Sequence, residues 1–352
     1  MKIGNKIREL RIGKGYTQED LAMLTGFSKS YIQKFEENKR EINTSQLVKL
    51  ANGLSVAISD ILSSSNIYTK DFKFSNIEFR DKKSLYNEDE FIKSIASDLY
   101  PKFYAYETLE DILEEEIKFK NPIMNEDDIS DSDSIEFLAK KLRKKWKFGN
   151  TPIYDLIGFL EDLGIKIFEV DREENFVGFS CWMKKSPVIV LNVRNKDIPR
   201  RRFTILHEVS HLLLNFDSTL SNEIIERFCD QFAGAMLLPE TALQEYLSSD
   251  SISLEELKRI KERFGISIRA ILVRMVSVGF ISWDKYHEWV ELYYSWRDKD
   301  ANYVGRETVS RFDYLLARAL RERKITDDGA SELMKMPITD LRNNYLSKEF
   351  LK

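Results

Sequence analysis

Two histidines four residues apart carry the densest chemistry in the chain, His207 and His211 in Arg202-Phe203-Thr204-Ile205-Leu206-His207-Glu208-Val209-Ser210-His211-Leu212-Leu213-Leu214. On a helix such a pair shares one face, with Cβ atoms roughly 5–6 Å apart, so both imidazoles can bind one zinc ion. Glu208 follows the first histidine, where its carboxylate can take a proton from water on the metal. The flanks are uncharged and apolar, as expected of a helix buried beneath a site. The chain holds only three histidines. That two fall at ligand spacing favours a metal over a core helix with two hydrogen-bonded histidines. The third, His287 in Trp283-Asp284-Lys285-Tyr286-His287-Glu288-Trp289, reads as a structural residue on a helix surface.

Catalytic zinc needs a third protein ligand and one open position. The segment Glu226-Arg227-Phe228-Cys229-Asp230-Gln231-Phe232-Ala233-Gly234-Ala235-Met236-Leu237-Leu238-Pro239 places Glu226 and Asp230 at i, i+4. Glu226 can complete the site, with Glu223 as the nearest competitor. Asp230 can accept the outward N–H of a ligating histidine, which fixes tautomer and ring orientation.

Taken together, Arg202-Phe203-Thr204, His207-Glu208-Val209-Ser210-His211, Glu226, Asp230-Gln231-Phe232-Ala233 and Leu237-Leu238-Pro239 resemble the ImmA/IrrE family of bacterial zinc metallopeptidases over about residues 150–280. The resemblance implies that His207, His211 and Glu226 bind Zn²⁺ and that Glu208 is the general base. Two positions depart from the family pattern. Ser210 stands where glycine is usual, and Cys229-Asp230 replaces an Ala-Asn pair. A small serine is tolerable there, and aspartate can do the job of the amide.

The N-terminal segment reads as five short helices. Ile3, Ile7 and Leu10 mark the first. Thr17 caps a second with Asp20 in the acidic position of a capping box, Gly26 turns the chain, and Ser28 caps a third. Two more are expected around 44–52 and 56–62. Thr17-Gln18-Glu19-Asp20-Leu21-Ala22, Gly26-Phe27-Ser28 and Ile32…Glu36-Glu37-Asn38-Lys39-Arg40 resemble the lambda-repressor-like (XRE) helix-turn-helix family, with Asn38 available for the left-handed cap. Residues 1–40 carry nine Lys/Arg against five Asp/Glu, 9 − 5 = +4, in a chain of net charge −4. In this architecture the third helix enters the major groove, presenting Ser28, Lys29, Ser30, Gln33 and Lys34. Gln33 suits adenine, and lysine suits guanine or phosphate. Gln18, Lys39 and Arg40 are placed to hold phosphates.

Beyond Ser63-Ser64-Ser65-Asn66 the composition turns polar. Phe72, Phe74, Ile77 and Phe79 alternate like an edge strand, and helices are expected around 88–99 and 106–118. From Glu107 to Glu136 there are twelve acidic and two basic residues, followed by six basic residues in Lys140–Lys147. This acidic run reads as a surface loop and a solvated helix face, with folding back over the basic head as the sharper alternative. A helix at 152–163, strands at 165–170, 177–183 and 188–193, and a turn at Lys184-Lys185-Ser186-Pro187 lead into the His207 helix. The open sheet edge is expected near Phe179–Trp182. The rest is helical, about 240–247, 253–263, 267–278, 282–296, 306–323, 326–334 and 337–346. Arg269, Arg274, Arg318, Arg321 and Arg323 are expected on solvated faces.

At 352 residues and 43% hydrophobic the chain can bury ordinary cores in two or three domains. Two unpaired cysteines, Cys181 and Cys229, point to a reducing cytoplasm. No apolar run approaches a membrane span, and the charged amphipathic start lacks a signal-peptide core. The expected fold is mainly α with a small β-sheet (α+β). Its segments are a helix-turn-helix domain at 1–63, a linker and helical region at 64–148, a zincin-like metallopeptidase domain at 149–280 and a helical region at 281–352. The function this implies is a DNA-binding regulator, a homodimer on an operator, whose zinc domain cleaves a partner protein in a stress, phage or mobile-element response. The competing reading is a repressor or antitoxin whose zinc domain senses a signal or holds a partner without cutting it.

Overall fold

The computed structural model describes residues 3–40, 42, 44–56, 61, 72–74, 88–172, 176–194, 197–247, 252–296, 303, 305, 307–334 and 336–345. Contacts divide the chain into two compact units. Met1–Lys73, Leu85–Ile117 and Ser310–Lys352 form the first, and Phe74–Ser84 with Lys118–Val309 the second. The expected segment 64–148 is thus split at Ile117/Lys118, and 281–352 at Val309/Ser310.

The first unit opens with α1 (Ile3–Gly13), α2 (Gln18–Thr25), α3 (Lys29–Glu36) and α4 (Thr44–Leu54). The helix limits follow from their capping residues. Asp20 N–H donates to Thr17 Oγ1 at 3.1 Å while Thr17 N–H donates to Asp20 Oδ2 at 2.8 Å, which satisfies two otherwise orphaned donors. Gly26 ends α2 at φ 69°, and Ser28 accepts from Tyr31 N–H at 3.3 Å. Asn38 takes the left-handed conformation at φ 54°. Its Oδ1 accepts the Gly4 N–H at 2.9 Å, where a Cβ on Gly4 would lie 2.0 Å from the Phe35 carbonyl oxygen. Ile7, Leu21, Ile32, Phe35, Leu47 and Leu50 form the core. Of the fifth helix expected at 56–62, only Val56 and Ile61 are described.

One helix, α5 (Glu88–Leu113), stands where two were expected. Pro101 lies inside it and forfeits a main-chain hydrogen bond, at a cost of about 3 kcal/mol. Leu99, Tyr100, Phe103, Tyr106 and Leu109 are buried on both sides of it, and each large apolar side chain returns about 1.5–3 kcal/mol. Continuity wins. The helices α14 (Arg311–Arg321), α15 (Asp327–Met334) and α16 (Ile338–Tyr345) belong to the same unit, with α14 packed on α5. The chain at 307–310 stays out of α14, which makes that helix shorter than expected.

In the second unit, α6 (Ser132–Lys145) and α7 (Leu156–Asp162) precede β2 (Lys166–Val170), β3 (Gly178–Met183) and β4 (Ser186–Asn192). The helix expected from 152 begins four residues later, because Asp155 caps it by accepting from Gly158 N–H at 3.0 Å. The parallel pair of β2 with β4 sets Lys166 beside Val188, and the antiparallel hairpin of β3 with β4 sets Met183 beside Ser186. Only Lys184 and Lys185 make the turn, with Lys184 at φ 54°, while Ser186 and Pro187 belong to β4. A three-residue strand β1 (Phe72–Phe74), at the boundary between the units, completes the order β1-β3-β4-β2. The outer strand on that side is therefore β1 and not Phe179–Trp182.

Next come α8 (Ile198–Leu213), α9 (Asn222–Leu237), α10 (Glu240–Tyr246), α11 (Leu254–Phe264), α12 (Ile268–Ser277) and α13 (Trp283–Trp296). α8 lies against β3 and β4 on one side and α9 on the other. Ile205, Leu206, Val209, Phe228, Phe232, Ile189 and Leu191 knit these layers into one core. The acidic run is structural rather than a free loop. Asp131 caps α6, Glu126 pairs with Lys141 at 2.5 Å, and fully buried Ile129 bridges to Phe216. Arg274 is also not on a solvated face. It is buried, donating to the Leu238 carbonyl at 3.0 Å and to Glu136 Oε2 at 2.7 Å. No helix among the described residues is long and apolar enough to cross a membrane.

Candidate metal centre and nucleic-acid interface

The packing of α8 on α9 brings His207, His211, Glu226 and Asp230 together. His207 Nε2 lies 3.0 Å from Glu226 Oε2, and His211 Nε2 lies 3.3 Å from both Glu226 Oε1 and His207 Nε2. Behind His207, Nδ1 is 2.9 Å from Asp230 Oδ1. A carboxylate only accepts, so Nδ1 carries the hydrogen and the unprotonated Nε2 faces inward. Two imidazole nitrogens and a carboxylate at these separations repel one another unless a positive charge lies between them. A tetrahedral zinc with bonds of about 2.0–2.1 Å has donors about 3.3 Å apart, so the set fits that ion. Glu223, the alternative third ligand, is exposed in the first turn of α9.

Electrostatics point the same way. Burial pushes the His207 ring down, but Asp230, Glu226 and Glu208 outweigh it and hold its pKa up at about 10. Burial also pushes Glu226 up, and the two histidines more than reverse this, holding it at about 2. The pocket favours positive charge. Glu208 is buried, and burial raises its carboxyl above the ordinary carboxylate range against His207, His211 and a hydrogen bond from Ser180. Its Oε2 is buried with no hydrogen-bond partner among the described residues. A polar atom so placed is costly unless something bound in the site uses it.

Motif spacing gives no sign of Cys229 at this centre. Its donor atom and those of His207 and His211 lie within 4.8 Å of one another, as a metal-holding trio would. The direction of approach argues otherwise, because Cys229 Sγ faces His211 Nδ1 at 3.7 Å while both Nε2 atoms face Glu226. Burial also raises its thiol well above the ordinary range, which keeps it protonated. Glu226 is the better third donor.

In the first unit Ser28, Lys29, Ser30, Gln33, Lys34, Lys39 and Arg40 are all exposed on or next to α3. Gln33 is oriented by Glu37, to which its amide donates at 2.8 Å, and Arg40 lies over the Tyr31 ring at 4.1 Å. Gln18 differs. Half-buried, it donates to Glu36 Oε2 at 2.8 Å, beside the buried Arg11–Glu36 pair at 2.5 Å that locks α1 to α3. His287 is exposed, edge-on to Tyr286.

Comparison with known families places this geometry. Residues 160–276 match the peptidase family described as the IrrE N-terminal-like domain, and residues 7–61 match the helix-turn-helix family. The chain joins an XRE-type helix-turn-helix to an IrrE-type domain. No curated protein matches it. Among solved structures, the restriction-modification controller protein C.AhdI from Aeromonas hydrophila is 36% identical, over 17% of this chain and 89% of its own, at a TM-score of 0.17. A mutant of PrgX is 12% identical, over 98% and 100%, at a TM-score of 0.21.

The IrrE-type domain also depends on residues that motif reading passes over. Arg143 is buried and donates to the carbonyls of Gly149 at 2.8 Å and of Met236 and Thr151, so it caps the last turn of α9. Arg202, at the start of the motif, is fully buried against Glu307. Runs of apolar residues around each arginine are the only signal the sequence offers.

Proposed function

We propose that the chain is a DNA-binding regulator whose IrrE-type domain is a zinc metalloendopeptidase acting on a specific partner protein. The convergence of His207, His211 and Glu226 beside the buried carboxylate of Glu208 carries this reading. Zinc, when bound, would supply Lewis acidity that polarises a peptide carbonyl and acidifies water. His207, His211 and Glu226 hold it, and Asp230 keeps the His207 Nε2 lone pair directed inward. Glu208, with one oxygen held by Ser180 and Oε2 unengaged, accepts a proton from water and returns it to the leaving amine. A carboxyl raised above its ordinary range is the stronger base for that task.

Metal analysis of the full-length chain is the direct test. About one zinc per chain is expected in the wild type and close to none in His207→Ala, with unfolding profiles showing that the variant still folds. No zinc in the wild type, even after it is supplied, would sink the reading.

The exposed face of α3 supports operator binding by a homodimer with half-sites about 34–36 Å apart. Gln33→Ala is expected to cost about 1–3 kcal/mol and to relax preference at a single base pair. Lys34→Ala should instead weaken binding to all sequences and lower the salt slope by about one. Fluorescence anisotropy across a salt series, on the operator and on scrambled DNA, separates the two. Identical behaviour of both variants would place another surface on the DNA.

A further inference from the structure

The two histidine rings of the centre are held from behind by different chemistry. His207 Nδ1 faces the Asp230 carboxylate, whose side chain is 61% exposed. The group facing His211 Nδ1 is the thiol of Cys229, 3.7 Å away and fully buried. Cys229 hydrogen-bonds Ser210, which is also fully buried, and Ser210 Oγ lies 2.5 Å from the main-chain carbonyl of His207.

The polarity of this chain of contacts is set at its far end. A carbonyl oxygen only accepts, so Ser210 directs its single hydroxyl hydrogen there. Toward Cys229 it then offers lone pairs alone, and the thiol S–H donates to it. The lone pairs of the sulfur are left for His211, whose Nδ1 therefore carries the hydrogen. An imidazole so protonated has a bare Nε2, the atom that faces His207 Nε2 and Glu226 Oε1 at 3.3 Å. Successive bonds that run in one direction polarise and strengthen one another.

We propose that Cys229 and Ser210 form a positioning relay, from the His211 ring to the His207 backbone, that fixes the tautomer and orientation of His211 for metal binding. This rests on the zinc reading above. The relay does for His211 what Asp230 does for His207, in a place where burial keeps water from substituting. Without the thiol, the His211 N–H is buried with no acceptor and the ring can turn or exchange tautomers. Because the relay ends on the carbonyl of His207, it also joins the two ligand-bearing turns of α8.

The test is zinc affinity of the full-length protein, measured by competition between Zn²⁺ and a chromophoric chelator, for Cys229→Ala, Cys229→Ser and Ser210→Ala. Cys229→Ala is expected to weaken zinc binding about 10–100-fold, the usual effect of removing a ligand's hydrogen-bond partner. Cys229→Ser should restore most of the loss, since a hydroxyl accepts and donates the same two bonds. Ser210→Ala should fall between, and adding it to Cys229→Ala should cost little more. Wild-type affinity in Cys229→Ala overturns the relay, as does a loss that serine does not restore, which would reflect packing alone. A wild type that takes up no zinc, like His207→Ala, overturns the metal reading and the relay with it.

Discussion

Glu208→Gln is expected to slow partner cleavage by about 10²–10⁴-fold, the usual contribution of a general base, while leaving zinc content and operator binding unchanged. The two side chains have nearly the same shape. Ser180 still finds an oxygen to donate to, and neither His207 nor His211 loses its partner in Asp230 or Cys229. What changes is Oε2, the buried atom with no hydrogen-bond partner among the described residues. An amide NH₂ there has no lone pair with which to receive a proton. Comparing new protein N-termini in cells carrying the wild type or the variant reads the effect even while the substrate is unidentified. Fragments present only with the wild type are the expected result. Unchanged fragments together with unchanged regulation would leave a zinc domain that senses or holds a partner without cutting it.

Local spacing made much of the site legible in the sequence. His207 and His211 share a face of α8 because residues four apart on any helix do, and Glu226 and Asp230 repeat the rule on α9. The helix limits at Thr17, Gly26, Ser28 and Asn38 were readable because capping uses side chains within three or four residues. What stayed hidden depends on contacts between distant segments. Ser210 and Cys229 read as two separate, tolerable departures, and only the packing of α8 on α9 makes them neighbours. Arg274 sits in a helix with other exposed basic residues, and nothing nearby announces Glu136. Pro101 reads as a helix break because propensity records the lost hydrogen bond and not the aromatic side chains buried around it. The strand at Phe72–Phe74 is too short for alternation to say which sheet edge it covers.

Arg202 carries the other large expected effect, on stability rather than chemistry. It lies five residues before His207 on α8, is fully buried, and pairs with Glu307 while donating to the Gly265 carbonyl at 3.2 Å and to that of Ile153. Gly265, at φ 62°, is left-handed, and a Cβ there would sit 2.7 Å from Arg202 Nε. Tyr303 covers the guanidinium at 5.1 Å from its ring centre. Removing one partner of a buried pair leaves the other charge uncompensated, so Arg202→Ala is expected to cost about 3–5 kcal/mol at neutral pH. Burial already raises the Glu307 carboxyl, with Arg202 opposing it, and loss of the arginine raises it further. An acid whose folded pKa lies above its unfolded value binds more protons when folded, so stability falls as pH rises between the two values. The deficit of Arg202→Ala should therefore be smallest below the ordinary carboxylate range and grow toward neutrality. Arg202→Met with Glu307→Leu should recover much of it, because two apolar groups leave no charge to desolvate. Urea unfolding of the three variants at acid and neutral pH tests this. A single variant within about 1 kcal/mol of the wild type at neutral pH would mean that Arg202 does not hold the metal-site helix to the rest of its unit.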